Sequence, residues 1–443
     1  MTGSGLWLYI DRREQGDFVM ANKTVTSPKG FFAAGVSCGI KQSGNRDMGL
    51  LVCPTGARAA AVFTTNKITS AAVAVSRRHV KSAKIFAVIV NSGNANACTG
   101  GQGVRDALKM CDETAKRILD FRFPIFDSKS KTQNPKSKIS NRQLAIGNVL
   151  VASTGIIGHQ LPMKRVLKGI SDAAKSLSDS EKAGLDFAHS IMTTDTRCKQ
   201  ALAEVTISGK QVTVAGTVKG AGMIGPNMAT TLSFITTDAV INRGLLSEAF
   251  KEAIGNSLNK LTVDGHQSTN DTAVILASGL AGNYPIVSRC PRYKKFTQAL
   301  AGVCDCLVRQ MALDAEGATR MFKVVVNGAA TVAEASKAAR AVADYPLVKC
   351  AIHGGDPNWG RIICAVGSSG VRLNQQKLSC KIGNITVFEG GRPKKFDAKK
   401  ASSIILMPEH TITVDLGAGG CGSFCYGCDL SAGYVKINAD YHT

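Results

Sequence analysis

Between residues 71 and 416, short apolar runs rich in β-branched residues alternate with longer segments whose apolar positions recur every three or four residues. This alternation constrains the fold more than any other feature of the chain. A run of four to eight such residues buries both faces well only as a strand in a covered sheet, and each amphipathic segment carries one apolar stripe to lay on a sheet. The strand-like runs are residues 71–75, 85–90, 145–152, 211–218, 232–237, 322–326 and 411–416. The helix-like segments are residues 104–119, 163–174, 245–258, 293–311 and 332–343. The pattern predicts a layered α/β (α+β) architecture and argues against a helix bundle or an all-β barrel. At 443 residues the chain exceeds what one hydrophobic core usually serves, so two domains or one large layered domain are expected. With 44% apolar and 19% charged residues it is globular in composition rather than disordered.

The formal charge of +22 raises nucleic-acid binding as a reading, but the basic residues are scattered in short groups without interleaved aromatics on which bases could stack. A solvated surface is expected, with no nucleic-acid partner. No apolar run approaches the roughly 18 residues of a membrane span, and residues 6–10 are too short for a signal peptide. The expected location is the cytoplasm, where the fourteen cysteines would be free thiols. Residues 1–19 differ in texture from the rest and read as an extension, with Met20 a natural start. Residues 128–141, SKSKTQNPKSKISN, read as a polar surface insertion.

Three motifs bear on chemistry. Gly220, Gly222 and Gly225 spell G-x-G-x-x-G after a strand-like run, but a β-branched run follows instead of a helix, so a dinucleotide fold is not expected. Cys421, Cys425 and Cys428 have a cluster-like C-x3-C-x2-C spacing. Only 15 residues follow, and the surrounding glycines fit a turn between strands, which is the expectation. The segment KGAGMIGPNMATTLSFITTDA, residues 219–239, is the strongest signal: a glycine-rich turn delivers Thr230 to the start of a strand. A threonine hydroxyl needs an adjacent base, and cutting the preceding peptide bond frees an α-amine whose pKa of about 7.7–8.0 suits that task.

That segment resembles the ArgJ family, the ornithine acetyltransferases or glutamate N-acetyltransferases of arginine biosynthesis. So do SPKGFFAAGVSCGIK from residue 27, NSGNANACTG (91–100), ASTGIIG (152–158), MTTDT (192–196), TVDGHQSTNDT (262–272), EGATR (316–320), DPNWGRI (356–362) and the C-terminal YVKINADYHT. Together they span nearly the whole chain. The resemblance implies a layered sandwich of the ArgJ/DmpA type, made as an Ntn-like precursor that cuts itself between Ala229 and Thr230. Residues 20–229 then form an α fragment, and residues 230–443 form a β fragment that begins with the nucleophile.

It further implies an oxyanion hole at Thr154 and Gly155, and substrate contacts from Thr196, Lys219, Thr230, Glu316, Asn438 and Thr443. The substrates implied are N-acetylornithine and glutamate, served by ping-pong transfer with no metal or bound cofactor. Acetyl-CoA is a co-substrate only if the enzyme is bifunctional. The assembly implied is a heterotetramer of two α and two β fragments. A DmpA-type N-terminal-nucleophile aminopeptidase is the alternative, disfavoured because such enzymes would carry Ser where Thr230 stands. The chain departs from the family pattern at His159, at Thr231, at the His266–Gln267 pair, in the 128–141 insertion and at Cys421 to Cys428.

Overall fold

The computed structural model describes residues 24–121, 145–225 and 231–440. The expectations for residues 1–19, Met20, the 128–141 insertion, Ala229, Thr230 and Thr443 concern positions outside these residues.

The first part of the chain forms strands β1 (Phe32–Val36), β2 (Met48–Phe63), β3 (Ile85–Asn94), β4 (Val149–Ile156), β5 (Lys199–Ile207), β6 (Lys210–Lys219), β7 (Leu232–Thr237) and β8 (Thr272–Ala277). They pair in the order β4-β3-β2-β8-β7-β6-β5, with β1 on β2. The long β2 shifts register between Val52 and Ala57, so that its first arm pairs with β1 and β3 and its second with β8. Gly56, at φ +73°, sits in that bend.

Both faces of the sheet are buried. In β3, Val88 and Val90 join a core with Phe31, with Phe187 of α4 (Glu181–Ser190), and with Phe234 and Val274 of the other sheet arm. Ala87 and Ile89 point to a separate core under α1 (Ala71–His79), α2 (Gly100–Asp120) and α3 (Met163–Lys175). On the β5–β8 arm, Val214, Ile235 and Ile275 pack under α5 (Arg243–Gly255) and α6 (Pro291–Leu313). Burial on two faces is why these strands read as continuous apolar runs. The expected layered α/β fold is the one found, with helices outside and the two sheet arms inside.

A second sheet, in the order β12-β11-β10-β13-β9-β14, follows. Its strands are β9 (Met321–Ala329), β10 (Ser379–Ile382), β11 (Ile385–Glu389), β12 (Arg392–Pro393), β13 (Glu409–Asp415) and β14 (Cys421–Cys428). Its core includes residues of α7 (Val332–Asp344), α8 (Pro346–His353), α9 (Trp359–Ser368) and α10 (Ala398–Ile405), while Met321, Tyr426 and Cys428 face α6. The last element, α11 (Ala432–Asp440), buries none of its residues.

Two local expectations are corrected. Residues 71–75 are not a strand but the start of α1: the Ser70 hydroxyl accepts the Val73 N–H as a helix cap, and Ala72, Val75 and Ser76 fall on the buried side. The stretch from Cys421 to Cys428 is not a turn but β14, antiparallel to β9. Side chains alternate across a strand, so Cys425 enters the second sheet's core while Cys428 enters the core around α6. The cluster-like spacing therefore points its thiols to opposite faces. Two boundaries also move: a 3-10 turn at Ile146–Asn148 precedes β4, and α5 ends at Gly255, before a further 3-10 turn at Leu258–Lys260.

Candidate active site

Because β2 folds back, the C-terminal end of β4 meets the edge where β6 ends and where β7 and β8 begin. There Thr154, Gly155, Lys219, Glu316 and Asn438 line one cavity of about 200 Å³. Ile157, Thr193, Thr194, Gly222, Met223, Asp264, His266, Ser268, Thr269, Asn270 and Tyr434 also line it.

Thr154 and Gly155 close β4 opposite a register shift at Gly93 and Asn94 of β3. Gly155 has φ +131°, and a Cβ there would lie 2.3 Å from the Gly93 carbonyl carbon, so glycine alone fits. The asparagine-rich segment 91–96 explains how this corner is held. Ser153 donates its hydroxyl to Asn91 Oδ1 at 2.6 Å, and the Asn270 amide donates to the Ala95 and Ser153 carbonyls at 2.6 and 2.7 Å. The β4 corner is thereby tied to the segment that leads into β8.

Lys219 ends β6, 2% exposed, and its ammonium donates to Thr193 Oγ1 at 3.1 Å. Among the described residues no carboxylate lies within 4 Å of it. Burial pulls its pKa below the ordinary lysine value, while Asp195, Asp271 and Glu316 pull it back up. A buried ammonium in a cavity wall with no carboxylate partner is suited to a carboxylate on a bound molecule.

Glu316, in the same cavity wall, accepts the Thr194 hydroxyl at 2.7 Å and the Asn438 amide at 2.8 Å. The Cα of Gly222 lies against it: a Cβ there would sit 2.1 Å from Glu316 Oε2. The middle glycine of the G-x-G-x-x-G turn therefore serves close approach to a carboxylate. Asp264 accepts the Met223 and Ile224 N–H groups at 2.8 and 2.9 Å and the Tyr434 hydroxyl at 3.1 Å, fixing the turn and α11 together.

Thr230 lies outside the described residues, but its neighbour is held firmly. The Thr231 N–H donates to Asp271 Oδ1 at 3.0 Å, and Leu232 pairs with Lys219 and with Thr272. Burial raises the Asp271 carboxyl well above the usual range, against the opposing effects of the Thr231 N–H and Lys219.

Of the residues singled out from sequence, Thr154, Gly155, Lys219, Glu316 and Asn438 come together. Thr196 does not join them. Its hydroxyl donates to Asp314, and the threonines of that segment that line the cavity are Thr193 and Thr194. Asp264, Asn270 and Asp271 lie in the string 262–272 and Tyr434 opens the C-terminal string, but none stands out there as a site residue, because a string match does not say which of its polar side chains face a cavity. Among the described residues no group of His, Cys, Asp and Glu could hold a metal ion, and no helix is long and apolar enough to cross a membrane.

A layered α/β fold that gathers a glycine corner, a buried ammonium without a carboxylate partner among the described residues, and a glutamate around one cavity is that of an enzyme, and its family relations make it one of acyl transfer. The sequence model of the ArgJ family matches residues 32–443, and the chain belongs to that family. The arginine biosynthesis bifunctional protein ArgJ of Symbiobacterium thermophilum is 43% identical over 421 residues, 95% of this chain and 98% of that protein. Its counterpart from Geobacillus stearothermophilus is 41% identical over 431 residues, 96% and 97% of the two chains. A crystal structure of the Bacillus halodurans ArgJ protein is 41% identical, covers 47% of this chain and 98% of its own, and has a TM-score of 0.46. The ornithine acetyltransferase of Mycobacterium tuberculosis, complexed with ornithine, is 34% identical over 47% of this chain and 96% of its own, with a TM-score of 0.39.

Proposed function

We propose that the protein is a glutamate N-acetyltransferase, moving acetyl from N-acetylornithine to glutamate through an acetyl group on Thr230, after cutting its own chain between Ala229 and Thr230. The observation that carries this reading is the cavity with Lys219 and Glu316 on its walls, beside the Thr154–Gly155 corner and the start of β7. An amino-acid substrate needs a cation for its carboxylate, and ornithine also needs an anion for its side-chain ammonium. The cavity offers Lys219 for the first and Glu316 for the second.

In the proposed reaction the Thr230 hydroxyl oxygen attacks the acetyl carbon of N-acetylornithine, and its proton passes to the freed α-amine. Thr154 and the Gly155 N–H donate to the tetrahedral oxyanion, an effect worth roughly 10²–10³ in rate per donor. The C–N bond then breaks, the proton goes to the leaving amine, and ornithine departs. The glutamate amine reverses these steps on the acetyl ester. Thr196 and Thr443 remain proposed contributors, the first acting from behind the wall through Asp314 and the second as part of the C-terminus beyond Asn438. We place the enzyme in the cytosol, consistent with fourteen free cysteines, and as a heterotetramer of two copies of each fragment. No metal or bound cofactor is required. The relatives' names call them bifunctional, which supports a second activity, and we propose acetyl-CoA as its acetyl donor.

The test is direct. Denaturing gels should show fragments of 229 and 214 residues, the second beginning Thr-Thr-Leu-Ser. With N-acetylornithine and no acceptor, that fragment should gain one acetyl group by mass spectrometry. An uncut but active chain overturns the mechanism, and glutamate-independent acetate release would favour a hydrolase.

A further inference from the structure

Behind the cavity wall lies a buried charge cluster whose lysine has no part in the chemistry above. The Lys199 side chain is fully buried, and its ammonium lies 2.5 Å from both Asp195 Oδ1 and Asp314 Oδ2. Each carboxylate is also bound to backbone. Asp195 accepts the Thr193 N–H at 3.0 Å and the Gly220 N–H at 2.8 Å. Asp314 accepts the Thr196 N–H at 3.2 Å and the Thr196 hydroxyl. Strong attraction to Lys199 and Lys219 offsets the upward push of burial on Asp195 and leaves its pKa at about 2.

The two carboxylates hold different ends of the cavity. Asp195 fixes Thr193, whose hydroxyl receives the Lys219 ammonium, and Gly220, the residue after Lys219. Asp314 stands two residues before Glu316, whose N–H donates to the Ala221 carbonyl. We infer that Lys199 is a positioning residue: one ammonium shared by two carboxylates sets the span between Lys219 and Glu316, and so the length of amino acid the site accepts. The inference rests on the reading of Lys219 and Glu316 given above. It also links the two proposed fragments, since Lys199 and Asp195 precede the cut and Asp314 follows it.

Removing the ammonium would leave two buried carboxylates that had touched the same nitrogen; Lys219 still attracts Asp195 and the exposed Arg197 still lies 3.5 Å from Asp314 Oδ1, but neither replaces the shared contact, so proton uptake by one carboxylate is the expected response. The predicted consequence is a pH dependence, which a simple loss of packing would not give.

The experiment compares Lys199→Met, which keeps length but not charge, and Asp314→Asn, which weakens the arm toward Glu316 and leaves the Asp195 arm in place, with the wild type. For Lys199→Met we expect KM for N-acetylornithine to rise tenfold or more, with partial recovery as pH is lowered and loss of that recovery in Lys199→Met/Asp314→Asn. For Asp314→Asn we expect KM for N-acetylornithine to rise while KM for glutamate stays within twofold. Hydrogen exchange supplies a readout independent of activity: amides of 193–195, 220–221 and 314–316 should lose protection together in Lys199→Met. Exchange confined to one of these segments, or a pH profile and KM values superimposable on wild type, overturns the role of Lys199. Wild-type enzyme inactive on N-acetylornithine would sink the functional reading alone, because exchange still decides the coupling. If Lys199→Met does not fold, the Asp314→Asn comparison decides: equal changes in both KM values reject the inference.

Discussion

At the scale of single residues, the site depends on atoms that admit no substitute. Gly155 is the clearest case, with a left-handed backbone and a strand 2.3 Å from its missing Cβ. Gly155→Ala should therefore reduce acetyl transfer at least a hundredfold and lower stability by about 1–3 kcal/mol, measured by urea unfolding. Glu316→Gln is more than a charge change. The Thr194 hydroxyl and the Asn438 amide both donate to Glu316, and a glutamine can accept from one of them but must present its own NH₂ to the other. We expect KM for N-acetylornithine to rise more than KM for glutamate, with chain cutting unchanged on gels. Equal losses for both substrates would remove Glu316 from recognition of the ammonium.

At the scale of elements, α11 stands out because it covers part of the site without burying any of its own residues. Side-chain hydrogen bonds help hold it: Tyr434 to Asp264, Asn438 to Glu316, and Ser431 to the Gly317 carbonyl at its start. An element held by polar contacts at its edge sits at the low-stability end of a fold. Tyr434→Phe should speed hydrogen exchange across 432–440 severalfold while leaving the global urea midpoint nearly unchanged. A fall in global stability would mean that α11 belongs to the cooperative core. By contrast, α1 is held by its buried face and by the Ser70 cap, and Ser70→Ala should cost about 1 kcal/mol without touching activity.

At the scale of the whole molecule, strands β7 and β8 of the second proposed fragment lie between β2 and β6 of the first. Cutting after Ala229 should leave two pieces that co-elute in native size-exclusion chromatography and separate only in denaturant. Acid should weaken the whole fold in a defined window. His410, stacked on Phe322 and without a ring-nitrogen partner among the described residues, is held near pKa 4 chiefly by burial, aided by Arg320. Its folded pKa is depressed, so its contribution is present above about pH 6.5 and is lost as pH falls toward 4, an effect of the order of a few kcal/mol at most. The urea midpoint should fall across that window, and His410→Phe should flatten the fall.

Much of this molecule is legible from its sequence because apolar periodicity is a local property. The runs at 85–90, 232–237 and 322–326 become β3, β7 and β9 because a chain of Val, Ile and Phe must bury both faces. The segments at 163–174 and 332–343 become α3 and α7 because each has one apolar stripe. The motifs around Gly155, Lys219 and Glu316 were likewise visible as strings. Tertiary structure decided what locality leaves open. Residues 71–75 have strand composition but became helix, since Ser70 caps them and their buried side faces α2 and β4. Cys425 and Cys428 are neighbours in sequence that a strand's alternation sends to different cores. Residues as far apart as Thr154, Lys219, Glu316 and Asn438 share a cavity only because β2 bends back on itself. Lys199 reads as one more lysine in a chain of net charge +22, and only packing buries it against two carboxylates, because Asp195 is four residues away but Asp314 is more than a hundred.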